Sequence, residues 1–211
     1  GFDPSAVAGF GKEHFQNFDV GAMQGFKADM LGNFTNDAIG GIDMDHMKAF
    51  DPNAMKGFGK DQFGAMAATM MGAFDSEKIM NFDPMAMGGF DMEKMAAFDP
   101  SAVGGFDKDH MAGFDPSAMK GFSMDHMAGF DPNAMAGFSM DHMKAFDPSA
   151  MKGFGKDHMA GFDPSAVAGF GKEHFQNFDV GAMQGFKADM LGNFTNDAIG
   201  GIDMDHMKAF D

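Results

Sequence analysis

Eight histidines recur along this chain, and each follows directly after an aspartate or a glutamate. Imidazole nitrogens and carboxylate oxygens are both ligands for Zn²⁺ and Ni²⁺, so a series of such pairs could bind metal ions or respond to protons. The candidate metal ligands are His110, His126, His142 and His158, with Asp109, Asp125, Asp141 and Asp157. The same pairing occurs at His14, His46, His174 and His206.

A purely structural interpretation of these pairs stays open. Neighbouring residues on a helix do not share a face, so the acid and the histidine of one pair would point in different directions. The histidine would then be a half-exposed residue of the first helical turn that hydrogen bonds back near the Ser or Asp that caps the helix. This interpretation requires no metal.

Other chemistry is missing from the sequence. The chain has no Cys, which excludes disulfides and thiolate sites, and it has no Ser/His/Asp set, phosphate loop or nucleotide fingerprint. We therefore predict no catalytic residue and no cofactor. Aspartates such as Asp3, Asp51, Asp83, Asp99 and Asp115 could hold Ca²⁺, but helix capping explains them without an ion.

The elements that position these residues follow an eight-residue rule. Every eighth residue from Phe2 to Phe210 is large and apolar, and 24 of these 27 positions are Phe. Octad 1 covers residues 2–9 and octad 26 covers residues 202–209, without any insertion or deletion. So short a repeat indicates a solenoid, in which each unit buries its apolar face against its neighbours.

One octad carries the signals of a short helix with both ends marked. In the octad that begins at Phe114, Asp115 is a natural N-cap, and Pro116 suits the first helical position. Gly121 ends the octad, where we expect a left-handed residue. A strand is the structural alternative, but Val, Ile and Thr are scarce and Asp-Pro recurs in alternate octads. The sequence therefore favours an all-α chain with one short helix per octad.

Odd and even octads differ in kind, which suggests a coil of two. Odd octads mostly read Phe-Asp-Pro-x-Ala followed by Met or Val, whereas even octads carry His, Lys, Gln or Met at the fifth position. We predict a 16-residue coil of two helices, hence two layers, with the His residues along one edge. With helices about 8–10 Å apart, the rod would be roughly 110–130 Å long.

The chain is organised as a single continuous solenoid over residues 1–211. Residues 161–211 repeat residues 1–51 letter for letter, which defines a higher-order unit of 160 residues and suggests a stretch of a longer tandem array. Octads 3–5 and 8–10 are less regular, either because they have drifted or because they form a lateral docking patch.

Asn33 and Asn193 match the N-glycosylation pattern, although Thr35 and Thr195 stand where an N-cap belongs.

Charge and composition limit the partners of the chain. A net charge of −16, with no Arg, would repel a phosphate backbone, so we expect no nucleic-acid binding. No apolar run approaches the roughly 18 residues of a membrane span. We predict that the partners of the chain are copies of itself, associating end to end or side by side.

The octad rule resembles the octapeptide repeats of large bacterial surface and secreted proteins. The residues that carry this resemblance are a polar cap after the apolar residue, an apolar sixth position and a small eighth position, as in Phe122-Ser-Met-Asp-His-Met-Ala-Gly129. The Asp-Pro of this chain matches the Thr-Pro of Thr-Pro-Glu-Gln-type units. The resemblance implies an extended element at the cell surface or in an extracellular matrix.

Two functions follow as hypotheses. The first is a structural, non-enzymatic segment of a long extracellular filament, stalk or matrix fibre, built by self-assembly. The second is a repeat binding module that uses columns of Asp-His pairs for metal ions or for pH-dependent association.

Overall fold

A computed structural model describes residues 3–210, and every regular element in that range is a short helix. The α-helices are Lys12–Gln16, Ala28–Leu31, Asn36–Ile39, Met44–Ala49, Lys60–Ala65, Ser76–Ile79, Met92–Ala96, Lys108–Gly113, Met124–Gly129, Met140–Ala145, Lys156–Gly161, Lys172–Asn177, Val180–Met183, Ala188–Leu191, Asn196–Ile199 and Met204–Ala209. The 3₁₀ helices are Pro4–Gly9, Val20–Gly25, Pro52–Gly57, Ala68–Ala73, Pro84–Gly89, Val103–Gly105, Pro116–Gly121, Pro132–Gly137, Pro148–Gly153 and Ala166–Gly169. The predicted solenoid of short helices, one per octad, is confirmed.

The two kinds of octad fold into two kinds of helix. Even octads form α-helices, and most odd octads form 3₁₀ helices. In the odd octad at Asp115, the Asp115 carbonyl accepts a hydrogen bond from the Ala118 N–H, three residues on, at 2.9 Å. In the next octad, the Ser123 carbonyl accepts from the Met127 N–H, four residues on, at 3.1 Å. The sequence alternation is therefore an alternation of turn type.

Three octads, and not two, make one coil. The helices that pack closely on each other are separated by three octads, as are Lys60–Ala65 with Pro84–Gly89 and Met124–Gly129 with Pro148–Gly153. The coil therefore contains 24 residues and has three faces. The predicted 16-residue coil with two layers is wrong, and the estimated length falls to about 70–90 Å at a helix spacing of 8–10 Å.

The alternation of octad types along the chain also appears between stacked octads. Stacked octads are three apart in sequence, and because three is an odd number, an odd octad always stacks on an even one. Where the odd octad is a 3₁₀ helix, an α-helix stacks on a 3₁₀ helix of the preceding coil, and the next coil reverses the order. Met92–Ala96, for example, packs on Ala68–Ala73 of one neighbouring coil and on Pro116–Gly121 of the other. The exceptions are the odd octads that form α-helices, which stack on α-helices; these are Asn36–Ile39, Val180–Met183 and Asn196–Ile199. No face consists of one helix type, so all three faces have the same composition rule.

Phenylalanine rings form a continuous column through the solenoid. Phe106 lies 5.3 Å from Phe114 between ring centroids, and Phe114 lies 6.2 Å from Phe122. The same rings also contact those of the next coil, since Phe106 and Phe130 are 6.5 Å apart. Most apolar sixth positions, such as Met111, are fully buried beside the rings. Helices of one or two turns do not persist alone in water, so this column stabilises them.

The glycines that end most octads permit close contact between coils. Among residues 3–210, no residue has a positive φ, so the predicted left-handed conformation is wrong. A Cβ at Gly121 would instead collide with the carbonyl oxygen of Met92, and one at Gly153 with the carbonyl oxygen of Met124. Each of these carbonyls lies 29 residues earlier, on the helix of the preceding coil. The small eighth position is thus a packing requirement.

None of the helices described is both long enough and apolar enough to cross a membrane.

Candidate functional site

The histidine side chains connect successive coils through their ring nitrogens. In His126, the Nδ1 accepts a hydrogen bond from the backbone N–H of Ser123 at 3.0 Å, and the Nε2 lies 2.9 Å from the carbonyl oxygen of Phe98. Because a backbone N–H can only donate, Nδ1 is unprotonated, so Nε2 carries the proton and donates to Phe98. The ring is buried. Both ring nitrogens are therefore occupied by the protein itself.

This arrangement repeats along the chain. The Nε2 atoms of seven histidines lie 2.9–3.1 Å from the carbonyl oxygen of the residue 28 positions earlier, which is always a Phe in the preceding coil; these histidines are His46, His110, His126, His142, His158, His174 and His206. We call this set the histidine ladder. Most of its members are buried, whereas the sequence led us to expect half-exposed rings.

Gln62 shows what this position requires. It occupies the fifth position of an even octad, where most such octads have His. Its Oε1 accepts from the Gly59 N–H at 2.7 Å, and its Nε2 donates to the carbonyls of Leu31 and Phe34 at 2.7 and 2.9 Å. An amide and a neutral imidazole both offer one acceptor toward the cap and one donor toward the next coil. This shared function was missed in the sequence, although the Gln-for-His replacement was its visible signal.

Three rungs of the ladder have an aspartate as their cap, and two of them differ from the other rungs. At His110, Nδ1 accepts from the Asp107 N–H at 3.2 Å and lies 2.8 Å from the Asp107 carboxylate. His46 Nδ1 lies 2.7 Å from Asp43 Oδ1, and His206 Nδ1 lies 2.9 Å from Asp203 Oδ1. Neither Nδ1 accepts a backbone N–H, so each pairs with its carboxylate only when that nitrogen carries a proton. The backbone N–H of His46 also donates to the Asp43 carboxylate and, with the imidazole, lowers the pKa of Asp43.

The candidate metal pairs diverge in the fold. His110 is buried and bonds to the Phe82 carbonyl, whereas Asp109 is exposed and pairs with Lys108 Nζ at 3.0 Å. Asp125, Asp141 and Asp157 are likewise exposed. Since the coil has three octads, His110, His126 and His142 belong to three different faces and not to one edge. Within residues 3–210, no group of three or more His, Asp or Glu could hold a metal ion.

The acidic N-caps have the predicted structural role. Asp115 Oδ1 accepts from the Ser117 N–H at 2.9 Å and from the Ser117 hydroxyl at 2.7 Å. These two bonds, the hydroxyl first, lower the pKa of Asp115. Corresponding caps occur at Asp3, Asp51, Asp83 and Asp99. The carboxylates thus bind backbone amides of the first turn.

The two possible glycosylation sites are exposed, and the side-chain amide of each asparagine donates to a backbone carbonyl four residues earlier. Asn33 Nδ2 donates to the Asp29 carbonyl at 2.8 Å, and Asn193 Nδ2 donates to the Asp189 carbonyl at 3.0 Å. Thr35 caps the following helix by accepting from the Ala38 N–H at 3.2 Å. Glycosylation at either asparagine stays a prediction.

The described surface carries open grooves between coils. One groove is lined by Lys27, Asp29, Asp51 and Lys56, and another by Lys108, Asp109, Asp131 and Asn133. Each groove contains an aspartate from the fourth position of one octad and the N-cap aspartate of the octad that stacks on it in the next coil. They do not form a unique constellation of the kind that a single active site requires.

No protein-family model matches the chain, and no curated protein is significantly similar to it.

Proposed function

We propose that this chain is a structural element, a segment of a long extracellular filament, stalk or matrix fibre. The observation that carries the proposal is the use of the conspicuous polar side chains for cohesion. The ladder histidines join coils, the aspartates cap helices, and the glycines admit neighbouring backbone. The same polar side chains and glycines hold the fold together along the whole length of the chain, and such a chain suits a mechanical role.

The higher-order unit favours a rod over a flat lateral assembly. The 160-residue unit contains twenty octads, which is not a multiple of three. Equivalent octads in successive units therefore lie on different faces, as do Asn36–Ile39 and its copy Asn196–Ile199. Any side patch that a unit carries winds around the axis instead of forming one line. Octads 3–5 and 8–10 are thus poorly placed to form a continuous lateral docking edge.

The charge distribution fits an exposed, extended polymer. The acidic first-turn residues, such as Asp109, Asp125 and Asp141, project from all three faces and are exposed. With a net charge of −16, neighbouring rods repel each other sideways. Repulsion of this kind favours growth along the axis over lateral clumping, and it decreases as salt is added.

The direct test is localisation in the native material. Antibodies against this chain, detected with gold particles by electron microscopy, should label extracellular fibres at regular intervals along their length. Labelling inside cells, or on discrete particles about one chain long, would contradict the proposal. Sectioned and intact cells should be compared, because only intact cells report surface exposure.

The alternative, a metal- or proton-responsive binding module, has its geometric basis in the Asp-capped rungs at His46, His110 and His206. Titration with Zn²⁺ at neutral pH, followed by calorimetry and sedimentation, tests the metal form of this alternative. Stoichiometric binding that changes the mass of the particle would favour it over the mechanical role.

A further inference from the structure

The residue that caps each even helix varies together with the charge of the residue three positions later. We call that later position, the fifth of an even octad, the ladder position. Lys occupies it twice, each time behind an Asp cap, and Gln occupies it once, behind a Gly cap. Histidine, which can be neutral or charged, occurs behind three kinds of cap. These are Asp for His46, His110 and His206, Ser for His126 and His142, and Gly for His14, His158 and His174.

Asp caps supply a carboxylate for a buried cation. Lys94 is buried, and its Nζ donates to Asp91 Oδ2 at 2.9 Å. Lys78 is also buried, with its Nζ 3.7 Å from Asp75 Oδ2. The backbone N–H of Lys94, followed by its ammonium group, lowers the pKa of Asp91, which therefore stays charged in mild acid. A buried ammonium group requires such a partner, because an unpaired buried charge is strongly destabilising.

Gly caps offer only a backbone N–H. Gly155 donates this N–H to His158 Nδ1 at 3.0 Å, while His158 Nε2 lies 2.9 Å from the Phe130 carbonyl oxygen. A second proton on Nδ1 would replace the bond from Gly155 with two donors that face each other. The Gly-capped rung thus requires a neutral side chain, which Gln62 over Gly59 supplies permanently.

The Ser caps are intermediate. Ser123 Oγ lies 2.8 Å from His126 Nδ1, and Ser139 Oγ lies 2.9 Å from His142 Nδ1. A hydroxyl can donate or accept, so it can turn to accept a proton that Nδ1 gains. Acid therefore changes the partner of Nδ1 at these rungs, whereas at a Gly cap it removes the partner.

Two coils contain opposite kinds of rung. Both ladder positions of residues 74–97 hold lysines with Asp caps. Both ladder positions of residues 154–177 hold histidines with Gly caps, and both rings reach back to the preceding coil, residues 130–153. We call the contact between residues 130–153 and 154–177 the histidine joint. Neither of its ladder residues can keep both of its hydrogen bonds when charged.

The carboxylates around His158 do not replace the missing Asp cap. The charged residues on its own helix and on the elements that pack against it are Lys156, Asp157, Asp131 and Asp179. Asp131 and Asp179 each accept from the backbone N–H two residues later and so cap their own helices. Asp157 is exposed. Among residues 3–210, no group of His, Asp or Glu that includes His158 could hold a metal ion.

His174 has the same pair of bonds. Its Nδ1 accepts from the Gly171 N–H at 2.9 Å, and its Nε2 lies 3.1 Å from the Phe146 carbonyl oxygen. The charged residues on its own helix and on the elements that pack against it are Lys172, Glu173, Asp147, Lys152 and Asp197. The hydroxyl and then the N–H of Ser149 lower the pKa of Asp147, and His174 contributes least. Asp197 accepts from the Lys172 N–H at 2.9 Å, and Glu173 is exposed.

We propose that the histidine joint is an acid-sensitive contact, which loosens when His158 and His174 each gain a second proton. The unfolded chain binds these protons below the pKa of a free imidazole, which is about 6.5. The folded joint must give up a hydrogen bond at each histidine to do so. The stability that the two rungs provide is therefore present above about pH 6.5 and is lost as the pH falls. This inference concerns the fold and does not depend on the proposed structural function.

Hydrogen–deuterium exchange of the 211-residue chain tests the proposal on either side of the imidazole pKa, at about pH 7.5 and about pH 5.5. After correction for the intrinsic pH dependence of exchange, amides of residues 154–177 should lose protection in acid, by up to about tenfold for each histidine. Amides of residues 74–97 should keep their protection, because Lys and Asp keep their charges in this range. Equal losses in the two coils, or no loss at the histidine joint, would overturn the proposal.

A pair of cap variants supplies or withholds the missing carboxylate. Gly155→Asp copies the Asp caps, and Gly155→Ala adds the same Cβ without a carboxylate. A Cβ at this position would meet only His158 Nδ1, at 3.7 Å, so both variants should fold. Gly155→Asp should reduce the loss of protection in acid by the share of one histidine, whereas Gly155→Ala should keep the full loss. The same loss in both variants would contradict the role assigned to the cap.

A double variant removes both titrating groups. His158→Gln with His174→Gln should keep the bonds of both rungs, as Gln62 does over Gly59. Circular dichroism at the higher pH checks that this variant folds. Its joint should then keep the same protection at both pH values. A joint that still loosens in acid would overturn the proposal, because the proton would then act on another group.

Discussion

Residues 1–51 and 161–211 have one sequence but two environments, and they differ in structure. Val20–Gly25 is a 3₁₀ helix, whereas its copy begins an α-helix, Val180–Met183. His14 is exposed, but its copy His174 is buried and bonded to Phe146. Within residues 3–210, no coil lies before the first copy and none lies after the second. The comparison teaches that a neighbouring coil, more than the local sequence, decides burial and the choice between closely related helix types.

The largest difference between the copies should come from a buried leucine. Leu31→Ala removes a fully buried side chain beneath the next coil, and we expect a loss of about 2–5 kcal/mol in the free energy of unfolding. The same change at Leu191 affects an exposed residue and should cost less than about 1 kcal/mol. Urea denaturation of dilute, monomeric chain, followed by circular dichroism, measures both. Equal losses would contradict the stacked arrangement.

Glycine pairs test close contact between coils. Gly185→Ala places a Cβ against the Lys156 carbonyl and 2.6 Å from Met159 Cβ, so we expect a loss of about 1–3 kcal/mol. Gly25→Ala has the same local sequence but open space, and stability should be unchanged or slightly higher. The urea midpoint should therefore fall for Gly185→Ala and stay the same or rise slightly for Gly25→Ala. A common shift would show that backbone conformation, and not contact, selects glycine.

The histidine ladder gives a smaller contrast. His174→Ala leaves the Phe146 carbonyl and the Gly171 N–H without their partners, which should cost roughly 1–3 kcal/mol. His174→Gln should restore most of that loss, because Gln62 makes the same two kinds of bond. His14→Ala removes the local bond and the stacking of its ring on Phe10, but no bond between coils within residues 3–210, so it should have a lesser effect. Failure of the glutamine variant to rescue stability would refute the donor and acceptor roles assigned to the ring.

The smallest effect concerns local caps, which should not differ between the copies. The Ser165 hydroxyl and then the Ser165 N–H donate to Asp163 and lower its pKa, and Ser5 does the same for Asp3. A carboxylate with a lowered folded pKa stabilises the fold above its unfolded pKa of about 3.9, and this stability is lost as the pH falls through the folded pKa. Unfolding midpoints should therefore decline below about pH 4. Asparagine can still cap the helix but has no carboxyl group to titrate. Asp163→Asn and Asp3→Asn should therefore each reduce the fall of the unfolding midpoint at low pH, and by the same amount.

The sequence predicted the features that depend on one octad. The caps at Asp115 and Thr35, the helix in every octad and the burial of most sixth positions are confirmed. These features are local, so the chemistry of eight residues determines them. Both the number of octads per coil and the function of the histidines depend on residues 24–29 positions away. The alternation of two octad types along the chain is compatible with a coil of two octads and with a coil of three. It therefore could not reveal the number of octads per coil.

Glycine illustrates the same limit in physical terms. At the end of a helix, a left-handed turn and a close backbone contact both favour the residue without a Cβ. The sequence cannot distinguish these causes because both produce Gly at one position. Only the neighbouring coil, which brings the Met92 carbonyl against Gly121, decides between them.

The most direct test of the account is a pair of distances measured between spin labels. The chain has no Cys, so labels can be attached to introduced cysteines at Asp109, Asp125 and Asn133, which are exposed and hold the same octad position. A three-octad coil places 109 and 133 on one face, about 8–10 Å apart, and places 125 on another face at a longer distance. We predict that electron paramagnetic resonance gives the shorter distance for the pair 109 and 133. A shorter distance for the pair 109 and 125 would contradict the three-octad solenoid and restore a coil of two.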